Sequence, residues 1–563
     1  MTRFLEALKE LQKSVPPAIV REEHPVASRT SDAQPVTEAS ESGIKDIPTE
    51  TQSRLRNLRA LFPLKEPRQT QVYVLECLQK ILSDDKYKFV VIDAPTGVGK
   101  TAINATIAAL GNSITSTSGL NLMNQYINDF PNRYTELRGK ANYACYEQPG
   151  KKCDNSKCTS GQKKDCYGCA YGEAKRAATS SRNVITNHHC LLSLTKANWL
   201  KEKKGIDYLI LDEAHRLPEI ATSVFSVELD PRMLKTFSFP DKIPEGSDWE
   251  PHVAFLNVLR NETGKSLEAN ASSDDLIAFA KRINDSILGL NLNDPGNVAI
   301  TREEDPLTGE LRVIRYAPIN ISEMMHRQVW SQVGKVVLSS ATILDVNTFM
   351  SLSGLKLENT AYIRLPSEFP VEYGRVYYNQ NVGILNKGNL VKKLPEIAEK
   401  VIQILRHHAD HKGIIHTHTY LIGNALEKYL NEHADLKSRL LYAKDAKEQA
   451  SVLERHYSDP KPTVLMSPSL TEGIDLKDDL ARFQIMVRVP YPYYGDPLLT
   501  KRMELYPNYA NMLTAMTLEQ MRGRALRTPT DWAIAYMLDG NFTNFVNYNK
   551  NILSDHFLKS IVW

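Results

Sequence analysis

Residues 88–101 read KFVVIDAPTGVGKT, in which a β-branched apolar run leads into a glycine-rich loop. The residues that follow, 101–110, have helical composition. Strand, loop and helix in this order let backbone N–H groups close around phosphate oxygens. Lys100 is expected to reach the β- and γ-phosphates of ATP, and the Thr101 hydroxyl is expected to bind Mg²⁺. The other predicted nucleotide contacts of the loop are Gly97, Val98 and Gly99.

An acidic pair follows a second apolar run, residues 208–211. Asp212 is expected to hold Mg²⁺, and Glu213 to orient and deprotonate the attacking water. An acidic pair at a strand end is commonly just a helix N-cap. The phosphate loop in the same chain favours the catalytic interpretation.

Residues 520–527 read QMRGRALR and form the third candidate motif. Two arginines three residues apart on a helix share one face. Placed across a cleft from the phosphate loop, they would stabilise charge that develops on the γ-phosphate. In isolation, a solvated basic helix explains the same residues. The predicted catalytic residues here are Gln520, Arg524 and Arg527.

Further apolar runs alternate with helical segments along the chain. Residues 208–211 and 335–338 accompany the phosphate-loop strand, and residues 413–417, 462–466 and 483–487 form a second set. This alternation predicts an α/β protein with parallel sheets covered on both faces.

The composition is that of an ordinary globular protein, with 42% hydrophobic and 24% charged residues among 563. No apolar run is long enough to span a membrane, and the N-terminus lacks the apolar core of a secretory signal. These observations predict a cytoplasmic, nucleoid-associated or nuclear protein. The net charge of +3 is uninformative, but residues 133–182 contain eleven Lys or Arg against five Asp or Glu, a local basic surface.

Five closely spaced cysteines lie in that basic stretch: Cys145, Cys153, Cys158, Cys166 and Cys169. In a reducing compartment they do not form a disulfide framework. Clustered thiolates bind zinc or an iron–sulfur cluster, and spacing alone does not choose the metal. Cys77 and Cys190 stand alone in apolar contexts and are expected to be small core residues.

The ordered motifs resemble those of superfamily 2 helicases, most of all the branch that contains XPD and DinG. Gln71 would be the adenine reader of that branch, and Thr117 and Gln125 can be placed in its motif Ia, although residues 119–121 depart from the usual pattern. The other matches are residues 97–101 (motif I), 186–188, 212–215 (II), 340–342 (III), 416–420 (IV candidate), 471–475 (V) and 520–527 (VI).

The resemblance implies two RecA-like parallel-sheet motor domains with two insertions in the first. The expected segments are an N-terminal helix and disordered tether (1–54), helicase domain 1 in three parts (55–132, 183–225 and 326–366), an iron–sulfur domain (133–182), a mostly helical Arch-like insertion (226–325) and helicase domain 2 (367–563). The N-terminal helix is either a packing element or a docking helix for a protein partner.

The resemblance also implies a function. A monomeric motor would clamp ATP and Mg²⁺ between its domains and move 5′→3′ on single-stranded DNA, opening forked duplex or a DNA–RNA hybrid. Gly473 and Asp475 of motif V would join the nucleotide contacts. A [4Fe–4S] cluster would be held by four cysteines, with Cys166 as the spare: Cys145, Cys153, Cys158 and Cys169.

Two other classes remain open at this point. An RNA-directed DEAH-type ATPase shares several motifs, although the cysteine insertion argues against it. A nucleic-acid-binding subunit without turnover is the second, although Lys100, Glu213 and Arg524 are all intact.

Overall fold

The computed structural model describes residues 57–155, 168–268, 274–290, 292, 294–305, 308–468, 476, 478–526 and 531–563. Several sequence predictions lie outside these ranges. They are the N-terminal helix and tether (residues 1–54) and five predicted site or spare residues: Cys158, Cys166, Gly473, Asp475 and Arg527.

The first sheet contains the phosphate-loop strand. Its members are β1 (Phe89–Asp93), β2 (Ser113–Thr117), β3 (Thr135–Glu136), β4 (Asn183–Asn187), β5 (Ile206–Asp212), β9 (Val333–Ser340) and β10 (Thr360–Arg364). All seven run parallel in the order β10-β1-β9-β5-β2-β4-β3. The acidic pair therefore follows a strand two places from β1, and the ends of both strands meet at one edge of the sheet.

Both faces of this sheet are covered, which explains the continuous apolar sequences of strands such as β1 and β5. Successive side chains of a strand point to opposite faces: Val91 packs in one core, while Val90 and Ile92 pack in the other. The covering helices are α1 (Gln69–Ser83), α2 (Lys100–Ala108), α3 (Leu120–Asp129), α4 (Ala170–Ser180), α5 (His188–Lys196), α6 (Trp199–Lys203), α7 (Leu217–Phe225), α11 (Ser322–Gln328) and α12 (Val346–Ser353).

The second sheet is also parallel throughout. Its strands are β11 (Val376–Tyr377), β12 (Gly413–His416), β13 (Leu440–Tyr442), β14 (Val464–Ser467), β15 (Phe483–Met486), β16 (Ile534–Met537) and β17 (Ile561–Val562), in the order β13-β14-β12-β15-β16-β11-β17. Its helices are α13 (Leu390–His407), α14 (Tyr420–Asn431), α15 (Ala434–Lys437), α16 (Ala446–Ser458), α17 (Pro497–Leu505), α18 (Tyr509–Gly523), α19 (Asn541–Tyr548) and α20 (Asp555–Ser560). The predicted pair of RecA-like α/β domains is confirmed.

The segment predicted as a helical insertion also contains a sheet. Its helices are α8 (Pro231–Thr236), α9 (Trp249–Glu268) and α10 (Asp274–Gly289), and its antiparallel strands are β6 (Val227–Leu229), β7 (Val298–Glu304) and β8 (Leu311–Pro318), in the order β6-β8-β7. Composition did not reveal these strands, because β7 is largely polar and half-exposed. Neither α9 nor any other helix within the described ranges is long and apolar enough to cross a membrane.

Candidate nucleotide site and cysteine module

The phosphate loop depends on two glycines with left-handed backbone. The φ angles are 85° at Gly97 and 83° at Gly99, a region that residues with a Cβ rarely adopt. Space adds a second constraint, since a Cβ on Gly97 would lie 2.1 Å from Cζ of Phe369. The loop passes directly into α2, whose second residue is the half-buried Thr101.

Lys100 is the first residue of α2 and is 9% exposed. Its Nζ donates to the carbonyl oxygen of Ala94 at 2.9 Å and lies 3.4 Å from that of Pro95. The ammonium thus points back into the loop, at the helix end that favours anions. Ionised phosphate oxygens are stronger acceptors than neutral carbonyls, so a bound phosphate can replace these contacts.

Gln71 braces the loop from α1. Its Oε1 accepts the N–H of Arg68 at 2.9 Å, and its Nε2 donates to the carbonyl oxygen of Val98 at 2.9 Å. The Arg68 guanidinium donates to the carbonyl oxygen of Gly97 at 2.6 Å. It also lies 3.5 Å from the carboxylate of Glu368, which follows β10 in the chain. Both amide atoms of Gln71 are therefore engaged, and reading a base requires that they exchange partners.

Asp212 ends β5 and is buried. Tyr126 donates its hydroxyl to Oδ2 at 2.8 Å, while the Ser339 hydroxyl and the Glu213 N–H each donate to Oδ1 at 3.0 Å. Burial, followed by the neighbouring Glu213 carboxylate, raises the pKa of Asp212 above its ordinary value. A divalent cation would relieve this burial penalty. The sequence interpretation missed Tyr126, which lies in the poorly matching motif Ia region, and Ser339, which directly precedes motif III.

Glu213 has a left-handed φ of 56° that turns its side chain away from the strand. Burial alone would raise its pKa, but the opposing effects of His215, Lys100 and Arg524 prevail and lower it. His215 Nδ1 hydrogen-bonds to Glu213 Oε2 across 3.3 Å, and the charges of Lys100 and Arg524 attract the carboxylate. Glu213 is therefore ionised at neutral pH, with positive charge from both domains near it.

His215 joins the two domains through hydrogen bonds. Its Nδ1 lies 2.7 Å from the Ser340 hydroxyl on β9. The amide of Gln520, on α18 of the second domain, donates to His215 Nε2 at 2.7 Å and to the Thr342 hydroxyl at 3.2 Å. This arrangement leaves the ring proton on Nδ1. Motifs II, III and VI therefore meet at one imidazole.

The end of α18 lies against the phosphate loop. A Cβ on Gly523 would lie 3.7 Å from the Thr96 hydroxyl. Arg524 follows at once, and its charge acts on Glu213. Arg522, two residues earlier, is instead buried, donates to the carbonyl oxygen of Gly374 at 2.8 Å, and has its pKa lowered to about 10 by burial. Arg522 and Arg524 thus have different surroundings. Arg524 directly follows the last residue of α18, and its predicted place on one helix face with Arg527 stays a prediction, because Arg527 lies outside the described residues.

Three of the five clustered cysteines lie in described residues, and all three thiols are buried: Cys145, Cys153 and Cys169. An antiparallel bridge between Ala144 and Lys152 pairs the first two regions. The N–H of Cys145 donates to the carbonyl oxygen of Lys151 at 2.9 Å, and that of Cys153 to the carbonyl oxygen of Tyr143 at 2.9 Å. The third, Cys169, directly precedes α4.

A pair of tyrosines lies beside two of these thiols, those of Cys153 and Cys169. Tyr143 and Tyr171 pack edge to face with ring centroids 5.6 Å apart. Burial raises the pKa of Tyr171, and the nearby Cys190, Cys153 and Cys169 raise it further. Even so, no three His, Cys, Asp or Glu side chains within the described ranges form a group able to hold a metal ion. The remaining candidate thiols lie outside those ranges.

Two stretches of the chain match known protein families. Residues 64–233 match the type III restriction enzyme res subunit, and residues 402–557 match the helicase C-terminal domain. The chain is 21% identical to the ATP-dependent DNA helicase DinG of Escherichia coli K12, with 69% of this chain and 68% of DinG covered. It is 21% identical to the ATP-dependent DNA helicase YoaA of Haemophilus influenzae, with 82% and 89% covered.

Solved structures give the same result for the fold. A solved XPD helicase superposes with a TM-score of 0.57 at 15% identity, covering 87% of this chain and 98% of that one. Xpd4 of S. tokodaii superposes with a TM-score of 0.54 at 14% identity, covering 88% and 99%. Together these matches support an XPD/DinG-like superfamily 2 helicase.

The two relatives are named as ATP-dependent DNA helicases, and the resemblance drawn from the sequence motifs is confirmed. The matched stretches contain the residues that meet in the cleft. Lys100, Asp212 and Glu213 lie within residues 64–233, while Gln520 and Arg524 lie within residues 402–557.

Proposed function

We propose that this helicase uses ATP to move along single-stranded DNA in the 5′→3′ direction and to open forked duplex or a DNA–RNA hybrid. The relatives named above are ATP-dependent DNA helicases. The observation that carries the proposal is the meeting of Glu213, His215 and Gln520 at the boundary between two parallel-sheet domains. A hydrolytic centre built across a boundary couples each turnover to domain movement.

Within this site we assign the following roles. Lys100 binds the β- and γ-phosphates, because its ammonium already faces oxygen acceptors in the loop. Thr101 and Asp212 hold Mg²⁺, and the ionised Glu213, which His215 orients, activates the water. Gln520 and Arg524 contact the γ-phosphate from the second domain. Gln71 binds adenine after its amide releases Arg68 and Val98.

The nucleic acid would cross the ends of the strands in both domains. Thr117 ends β2 in the first domain. Residues 416–420 end β12 in the second and lead into α14, where Tyr420 is 45% exposed. Contacts at such sites go to phosphates and sugars, so binding should be independent of sequence and should weaken with salt.

We also assign a [4Fe–4S] cluster to the cysteine module. Three buried cysteines within 25 residues of chain offer the soft thiolate ligands that such a cluster needs, and Cys158 is the proposed fourth ligand, with Cys166 as the spare. The cluster would supply the cross-links that a module of about 50 residues, with little core of its own, needs in order to stay folded. The module would then act as the wedge that meets the duplex.

Strand displacement tests the proposed activity. Anaerobically purified protein is given ATP, Mg²⁺ and duplexes with either a 5′ or a 3′ single-stranded tail, and product is measured at several salt concentrations. We expect unwinding from the 5′ tail only, decreasing with salt. Unwinding from the 3′ tail only would refute the polarity. Matched DNA and RNA strands in an ATPase assay test the RNA-directed alternative, which predicts greater stimulation by RNA.

Metal content tests the cluster. Iron, zinc and sulfide are measured in the unaltered protein, in Cys169→Ser and in Cys77→Ser, whose cysteine lies on α1 away from the module. We expect about four irons per chain with visible absorption in the unaltered protein and in Cys77→Ser, and loss of iron in Cys169→Ser. Zinc without iron, or unaltered iron in Cys169→Ser, contradicts the assignment.

A further inference from the structure

Tyr126 is a fully buried tyrosine whose hydroxyl has two partners. It donates to Asp212 Oδ2 at 2.8 Å and accepts a hydrogen bond from Asn104 Nδ2 at 2.9 Å. Phe130 and Tyr134 also pack against the ring edge to face, with centroids 6.1 Å and 6.0 Å away. A phenylalanine would fill the same space, so the hydroxyl has a role beyond packing.

Asn104 closes a ring of polar side chains around the carboxylate. Its Nδ2 also donates to the Ser339 hydroxyl at 2.8 Å, and that hydroxyl donates to Asp212 Oδ1 at 3.0 Å. Both carboxylate oxygens are therefore oriented by groups linked to one amide. Asn104 lies on α2, one turn after Lys100, so the ring also connects the carboxylate to the phosphate-loop helix. Within the described residues the other amide atom, Asn104 Oδ1, is buried without a hydrogen-bond partner, so Asn104 contributes to this ring through Nδ2 alone.

The helix that carries Tyr126 begins at the proposed strand-binding loop. Strand β2 ends at Thr117, whose hydroxyl donates to the carbonyl oxygen of Gly119 at 2.9 Å, and α3 starts at the next residue. In α3 only Met123 and Tyr126 are buried. Leu120, Leu122 and Ile127 are partly buried and also pack against this core. Of the two buried side chains, Tyr126 is the one whose hydroxyl ends at Asp212.

We propose that Tyr126 is a positioning residue that links the loop at 117–119 to the Asp212 carboxylate. When a nucleic acid strand engages the loop, α3 shifts and the Tyr126 hydroxyl moves with it, which adjusts the carboxylate for Mg²⁺. This inference rests on the proposed function, because it takes Asp212 as the Mg²⁺ ligand and residues 117–119 as a strand contact.

Tyr126→Phe tests the link, with two readouts of ATPase activity. The first is the Mg²⁺ concentration for half-maximal rate, and the second is the ratio of rates with and without single-stranded DNA. Losing a hydrogen bond to a buried carboxylate should raise the Mg²⁺ requirement about 10-fold or more and should lower the stimulation ratio. A merely structural tyrosine would alter thermal stability and leave both readouts as they are.

Two comparison variants separate positioning from coupling. Tyr134→Phe removes a hydroxyl from the same aromatic cluster that does not hydrogen-bond to Asp212, and both readouts should match those of the unaltered protein. Ser339→Ala removes the donor on β9, so the Mg²⁺ requirement should rise while the stimulation ratio is retained. An unchanged Mg²⁺ requirement in Tyr126→Phe, or an equal fall of the stimulation ratio in Ser339→Ala, overturns the proposal.

Failure of the proposed function gives a different result. If the unaltered protein shows no stimulation by single-stranded DNA, the proposed function fails, whereas a stimulated protein with an unaffected Tyr126→Phe variant refutes this inference alone. Should Tyr126→Phe melt below the assay temperature, Asn104→Ala replaces it. That variant keeps the phenol but removes its donor, and it must raise the Mg²⁺ requirement for the proposal to stand.

Discussion

The contact between Gln520 and His215 is the most direct test of how the domains work together. Gln520→Ala removes two hydrogen bonds across the domain boundary, one of 2.7 Å to His215 and one of 3.2 Å to Thr342. A hydrogen bond contributes about 0.5–1.5 kcal/mol net, so the closed arrangement should lose about 2 kcal/mol. That loss corresponds to about a 30-fold fall in kcat/KM, since turnover requires closure.

The assay is steady-state ATP hydrolysis with saturating single-stranded DNA, performed as a double-mutant cycle. The cycle compares Gln520→Ala, His215→Ala and the double variant, and its coupling energy isolates the contact from other effects. We expect a coupling of about 1 kcal/mol. Gln403→Ala is the matched control, because that amide bonds to Glu399 on its own exposed helix face.

Two results would refute this reasoning. A coupling energy indistinguishable from zero would mean that the hydrogen bond is not made during turnover. A rate for Gln520→Ala within twofold of the unaltered protein would mean that closure does not depend on this contact. Loss of activity in Gln403→Ala would show instead that truncating any amide in the domain disturbs it.

Three further outcomes are expected. Glu213→Gln should lower kcat at least about 100-fold while ATP affinity is retained, because a general base is lost; turnover within tenfold of normal would exclude that role. Burial lowers the pKa of His456 to about 4, so as pH falls below about 6.5 this histidine is protonated in the unfolded chain before it is protonated in the folded one. Urea unfolding should therefore show about 2 kcal/mol less stability at pH 5 than at pH 8 from this group, and the His456→Gln variant should show a correspondingly smaller pH dependence. Gly334→Ala would place a Cβ 2.5 Å from the backbone oxygen of Asp207 and should lower the free energy of unfolding, measured in urea, by about 1–3 kcal/mol. Gly264→Ala lies in open space on α9 and should raise the free energy of unfolding by about 0.5–1 kcal/mol.

The sequence by itself determined the fold class and the two parallel sheets. Many buried parallel strands are apolar along their length because both faces are covered, so runs such as 88–94 and 483–487 were visible without a structure, whereas the buried but mostly polar β2 was not. Phosphate loops likewise need glycine at fixed positions, which made Gly97 and Gly99 recognisable. Antiparallel strands with one solvent-exposed face lack a continuous apolar run, and β7 was not predicted for that reason.

Only the tertiary structure decided how the motifs are joined. No spacing relates Tyr126 to Asp212, or His215 to Gln520, since these pairs are 86 and 305 residues apart along the chain. Nor could periodicity show that Arg522 is buried while Arg524 acts on Glu213. A motif such as the phosphate loop depends on neighbouring residues and can be recognised from a short stretch of sequence. Hydrogen bonds between distant elements depend on how the sheets and helices pack, and a short stretch of sequence does not determine that packing.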